Sequence, residues 1–208
     1  MLLLAAGCAA MVAVDVLNPQ FSPVSETVSR YVHGSAGWLI TTALLAIGSA
    51  SAVVAVQVGR LPGGPVVRRV ARGALAVWAG GVLVAGFFPA DPPGRWSRPS
   101  MSEMVHGTAA FPAFVALPLA ALLLRRQLTA RWPAARKALF AVTTASVVAT
   151  AALAVCLIDV MDGPSLGVGS APTLVGLVER LVITVDLAWL TLAAVATARL
   201  SEGRGARG

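Results

Sequence analysis

Residues 18–38 read NPQFSPVSETVSRYVHGSAGW. They separate two apolar runs and form the densest polar stretch in the first half of the chain. Asn18-Pro19 and Ser22-Pro23 open turns, because proline bars the preceding residue from regular helix. The stretch carries Glu26, the sole tyrosine Tyr31, His33 (one of two histidines) and hydroxyls at Ser22, Ser25, Thr27 and Ser29. A polar loop of this kind between two runs of lipid-compatible residues predicts a structured cap at a membrane surface. It forms one wall of whatever site the chain builds.

The surrounding composition agrees. The 208 residues are 57% apolar and 12% charged, with a mean hydropathy of +0.81. Soluble domains carry about 25% charged residues. Six apolar runs stand out, at about 2–17, 36–58, 70–88, 105–124, 138–158 and 174–198. Most approach the roughly 20 residues a spanning helix needs. The first is short, covering roughly 24 Å at about 1.5 Å per residue. Strands are excluded, because the runs do not alternate and lipid leaves no partner for an open sheet edge. The predicted fold is all-α, a polytopic six-helix membrane domain over residues 1–208. The start lacks the basic region of a signal peptide, so residues 2–17 are read as a helix. Whether the native start lies upstream of Met1 stays open.

A net charge of +7 would suggest nucleic acid in a soluble protein. Here no nucleic-acid motif is present, and the arginines fall in short loops. The 59–72 loop, the 125–137 loop and the tail carry twelve basic residues, among them Arg60, Arg68, Arg125, Lys137, Arg199, Arg204 and Arg207. The opposite loops carry three: Arg30, Arg95 and Arg98. That asymmetry predicts a cell-membrane protein with both termini cytoplasmic. Cys8 and Cys156 lie on different runs at depths differing by roughly 9 Å. A disulfide needs about 7 Å or less between Cα atoms, so two free thiols are expected.

The chemistry-bearing residues gather on the loops opposite the arginines. Glu179 and Arg180 enter the last run in GLVERLVITVD, and Asp186 follows seven residues later on nearly the same helix face. Ionisable groups in a span cost several kcal/mol unless paired or hydrated. Arg180 is therefore expected to pair with Asp15, Asp159 or Glu26, or else to serve a ligand alongside Glu179 and Asp186. His106 opens the fourth run in EMVHG, and Asp91 lies in FFPADPPG. The two histidines with Asp91 and Glu26 suggest a metal set, but no local zinc spacing supports one, and no metal or other cofactor is assigned. The serines of the first loop match no nucleophile elbow; Ser22 and Ser25 are expected to cap a short helix over about 24–33. Pro112 and Pro118 should bend the fourth helix. Tryptophans 38, 78, 96, 132 and 189 fall mostly near helix ends, where interfacial aromatic belts sit. Small residues such as those at 79–81 and 85–86 should let helices approach closely.

The order of these motifs resembles a known family. NPxxSPVSE followed by HGSAGW, then FFPADPPG, HG at a helix start and GLVERL is similar to the multi-pass membrane family catalogued as domain of unknown function 998. The matching positions are Asn18, Pro19, Ser22, Ser25, Glu26, Gly37, Trp38, Pro89, Asp91, His106, Gly107, Glu179 and Arg180. The resemblance implies about six helices and membrane placement, and no reaction.

The expected site is a polar pocket facing outward, drawn from Asp15, Asn18, Ser25, Glu26, His33, Asp91, His106, Glu179, Arg180 and Asp186. Its expected partners are membrane lipid and a small polar or lipid-like ligand, with no nucleic acid. Three classes of function compete. One is binding of a lipid headgroup or small polar molecule. The second is an intramembrane enzyme acting on an outer-leaflet, lipid-like substrate. The third is a small-molecule transporter, which requires polar residues beyond Asp186.

Overall fold

The computed structural model describes residues 1–61, 63–95, 98–163 and 165–205, with side chains through residue 198. Pro62, Trp96 of the expected belt and Arg207 lie outside the described residues, as do the side chains of Arg199 and Arg204. The helices are α1 (Leu2–Leu17), α2 (Trp38–Val58), α3 (Pro65–Phe87), α4 (Met101–Arg131), α5 (Arg136–Asp162) and α6 (Val175–Gly205). A 3₁₀ turn, Val28–His33, sits between α1 and α2. Five helices are long and apolar enough to cross a membrane, and α1 is a shorter apolar one. Among the described residues no strand forms beyond an isolated bridge between Val168 and Ala171. The chain is an all-α, multi-pass membrane protein.

Helix ends depart from the apolar runs where polar residues extend a helix past its greasy segment. α3 begins at Pro65, earlier than expected, because proline suits the first helical position. Arg68, Arg69 and Arg72 therefore stand on a helix rather than in a loop. α4 gains a turn before His106 and continues through Arg125, Arg126 and Arg131. Cations at a helix C-terminus meet the favourable end of the dipole. Both prolines of α4 lie inside one continuous helix. The turn at Gly63 rests near Gln127, which brings the 59–64 and α4–α5 connections to the same end of the bundle.

Packing follows small residues. A Cβ at Gly81 would stand 2.5 Å from the Ala109 carbonyl oxygen and 2.7 Å from the Ala113 methyl, so α3 and α4 touch backbone to backbone. The core between the helices is Leu117, Leu124, Leu128, Leu139 and Leu190 with alanines between them. Two of the five tryptophans are buried here, away from any interfacial belt. Trp78 lies in mid-helix and donates its indole N–H to Ser51 Oγ at 2.9 Å; Trp189 is fully buried. A hydropathy run cannot distinguish a belt tryptophan from one turned inward. Cys8 and Cys156 are both free.

A Gly81→Val substitution should lower stability in detergent by about 1–3 kcal/mol through overpacking. Gly80, next to it, faces open space. Gly80→Val should stay within about 0.5 kcal/mol of the parent, measured by thermal unfolding of the two variants side by side.

Candidate functional site

α6 holds the first loop by its opening turns. The Leu177 N–H donates to the Val24 carbonyl at 3.0 Å, and a Cβ at Gly176 would collide with the backbone of Glu26. One turn on, the Arg180 guanidinium forks onto Asp15 at the end of α1, with Nη2–Oδ1 at 2.6 Å and Nε–Oδ2 at 3.0 Å. Its Nη1 donates to the carbonyls of Pro23, Glu26 and Gly176, and the fork lies 5.0 Å from the Tyr31 ring centroid. Of the three acids expected to meet Arg180, Asp15 does so as a carboxylate. Glu26 offers only its carbonyl. Asp159 turns away to Ser165 and Leu166.

Glu179 points elsewhere. Its Oε2 accepts the Val28 N–H at 2.5 Å, capping the 3₁₀ turn from 151 positions away. The expected cap from Ser22 and Ser25 does not form. Ser22 Oγ accepts the Ser25 N–H at 3.3 Å, and the buried Ser25 hydroxyl has no partner. A long-range carboxylate has replaced the local cap because α6 passes directly beneath the turn.

The second half of the network joins the first loop to the 88–100 loop. Arg30, 1% exposed, donates to the Pro92 and Arg95 carbonyls at 2.8 and 3.1 Å and reaches Glu103 at 3.4 Å and Glu26 at 4.0 Å. Glu26 accepts the Gly94 N–H at 3.0 Å. His33 Nε2 donates to the Ala90 carbonyl at 2.6 Å. Asp91 accepts the Ser100 N–H at 2.7 Å, Ser100 Oγ accepts from the Glu103 N–H, and Glu103 returns to the Asp91 N–H at 2.6 Å. Asn18 stitches α1 to the turn before α2 through Val14, Ser35 and Gln20. Arg30 and Glu103 are central here, yet sequence reading passed them over. Ser100 and Glu103 do carry a helix-start signature, S-x-x-E before an apolar run. Burial pushes the Glu26 carboxyl above its usual range, with Arg30 and Gly94 pulling back. Burial lowers the Arg30 guanidinium, opposed first by Glu103 and then by Glu26.

Two expected residues lie apart from this network's polar core. Asp186 is fully buried between α5 and α6, with Oδ1 accepting from Ser146 Oγ at 2.6 Å. His106 directs Nδ1 to the carbonyls of Phe88 (2.8 Å) and Ala85 (3.1 Å). Carbonyls only accept, so Nδ1 carries a hydrogen, and in that tautomer Nε2 is the acceptor. Among the described residues, no three of His, Cys, Asp and Glu gather as metal ligands.

Beneath the loops is a cavity of about 60 Å³. Its walls are apolar, including Ile40, Leu44, Trp78, Val82 and Phe114; its polar lining is Ser29, His106 and Glu179. Met11, Val28, Ile183 and Leu187 separate it from a groove of about 480 Å³ between α1 and α6. That groove runs past Val12, Thr184, Ala188 and Thr191 and ends at Asp15 and Arg180. α1 leans on α2 and makes little contact with α6 below the ion pair.

Replacing Arg180 with Leu, or Asp15 with Asn, should each cost about 1–3 kcal/mol, since each strands hydrogen-bonding partners of a charged group. The double variant should cost less than the sum, measured as a thermal-unfolding double-mutant cycle. Asp91 predicts a pH dependence. The Ser100 N–H and hydroxyl, with a smaller effect from Arg95, hold its carboxyl below the usual range. A lowered folded value stabilises above the unfolded value of about 3.9, and that contribution disappears as pH falls through the folded value. Asp91→Asn should therefore be less stable than the parent at neutral pH, and the gap should close on acidification.

A comparison with curated proteins finds no match, and a comparison with solved structures finds none. A family model does match, covering residues 2–196, and the chain belongs to the family it describes, Protein of unknown function (DUF998).

Proposed function

We propose that the protein binds an amphipathic, lipid-like molecule of the outer leaflet, taken in sideways between α1 and α6. The observation that carries this reading is the α1–α6 groove. Its apolar length is open along the bundle, and its polar end is the Asp15–Arg180 pair. An acyl chain suits the apolar length. A polar headgroup suits the rim, where Asp15 and Arg180 keep 32% and 18% of their side-chain surface exposed. Twelve basic residues against three favour both termini in the cytoplasm of a cell-membrane protein, which turns the groove's polar end outward.

Most polar groups of the loops are already engaged with one another, which supports a binding surface over an open polar pocket. An enzymatic reading draws on one observation: His106 and Glu179 border a common cavity, each with one atom unpartnered among the described residues. Transport is favoured less. Toward the arginine end the space between the helices is filled by Leu117, Leu124, Leu128, Leu190 and Ala193, all fully buried.

Phospholipid bearing a diazirine on its acyl chain, reconstituted with the purified protein, should label Val12, Thr184, Ala188 and Thr191 preferentially. Ala188→Trp should fill the groove and cut that labelling about tenfold, a loss of about 1.4 kcal/mol of binding. Labelling spread evenly over all lipid-facing helices, unchanged by Ala188→Trp, would sink the reading.

A further inference from the structure

The small cavity behind the groove has a chemistry of its own. Glu179 is 7% exposed and His106 is 8% exposed, so both are cut off from bulk water. Glu179 commits Oε2 to the Val28 N–H, and no hydrogen bond reaches its Oε1 among the described residues. His106 commits Nδ1 to two carbonyls, leaving Nε2 as an unpartnered acceptor. Ser29 spends its hydroxyl hydrogen on Thr27 Oγ1 at 3.3 Å, which leaves its oxygen lone pairs. With the His106 ring neutral, the spare polar atoms of these three lining residues are therefore acceptors.

Charge points the same way. The ion pairs of the loops use other acids: Arg180 with Asp15, Arg30 with Glu26 and Glu103, Arg95 with Asp91. Arg180 and Arg30 act on Glu179 only through space, and both are paired with other acids. A buried carboxylate with no cation hydrogen-bonded to it is costly, and a cation bound beside it recovers much of that cost. The rest of the wall is apolar and includes the rings of Trp78 and Phe114, whose faces attract cations.

We propose that this cavity is a binding site for a primary ammonium group carried on a short apolar stem. The ammonium has three N–H donors, matching the three acceptors, and its charge answers Glu179. A volume of about 60 Å³, at about 10–15 Å³ for each water-sized group, holds about four to six heavy atoms. n-Butylammonium has that size. The same chemistry is available from a free alkylamine or from the amino head of an ethanolamine phospholipid. The proposal stands on the cavity alone and does not depend on what fills the groove.

The test is isothermal titration of the purified full chain in detergent with n-butylammonium chloride. Saturable binding is expected. Tetramethylammonium, a cation without N–H donors, should not bind. Glu179→Gln keeps an oxygen for the Val28 N–H but removes the charge, and should weaken binding at least about tenfold. Ala110→Leu fills the cavity from α4 while keeping Glu179, His106 and Ser29 in the chain, and should abolish binding; it serves also if the Gln variant fails to fold. No saturable binding by the parent, equal binding of tetramethylammonium, or binding that survives both substitutions would overturn the proposal. Ala188→Trp in the groove should leave n-butylammonium binding intact, so the two readings fail separately. Nanodiscs separate the sources: weaker apparent affinity in phosphatidylethanolamine than in phosphatidylglycerol marks the lipid head as the occupant, and equal affinity marks a free amine.

Discussion

The fork between Arg180 and Asp15 is the contact on which the arrangement of this protein depends. It joins the first helix to the last, and those two helices otherwise barely meet. In hydrocarbon there is little hydrophobic gain from bringing two apolar helices together, because lipid tails solvate them equally well. A charged pair with most of its donors satisfied supplies the missing directionality. Arg180 also gathers three carbonyls, two of them from the first loop, so the loop is drawn over the end of α6. With the fork in place, Glu179 on the adjacent residue is turned toward Val28 and the interior.

A second layer of contacts closes the lid. Arg30 is almost wholly buried, yet its guanidinium meets carbonyls and carboxylates from two other segments. Burying a guanidinium is tolerable only when its hydrogen bonds are replaced in kind. The loops are therefore polar inside and largely satisfied among themselves. Much of the polarity that marks a functional surface in the sequence is spent on holding loops in register. What the loops leave unused includes the buried Ser25 hydroxyl and, beside the apolar cavity, one oxygen of Glu179 and one nitrogen of His106.

Glu103 and Glu179 illustrate why some of this was hidden. Ser100 and Glu103 have helix-start spacing, so the local part of that contact was open to reading. The return of Glu103 to the Asp91 N–H was not, since it depends on how the 88–100 loop folds back. The cap on Val28 comes from a residue 151 positions distant, and no local pattern encodes it. Asp186 shares a helical face with Glu179 by arithmetic, yet it packs against Ser146 of α5 because a different neighbour lies opposite it two turns deeper.

Amino-acid order alone determined that this chain is helical and membrane-embedded, where its polar loops fall, and which side gathers the arginines. Those properties follow from one-dimensional quantities: the length of an apolar run against the thickness of a bilayer, and the distribution of charge between runs. Tertiary structure decided which acid meets Arg180, that Trp78 and Trp189 turn inward, and that a cavity and a groove lie on either side of Met11 and Ile183. The reason is geometric. In lipid every span is apolar on nearly all faces, so hydropathy carries almost no information about which face looks inward, and only the packed helices select it.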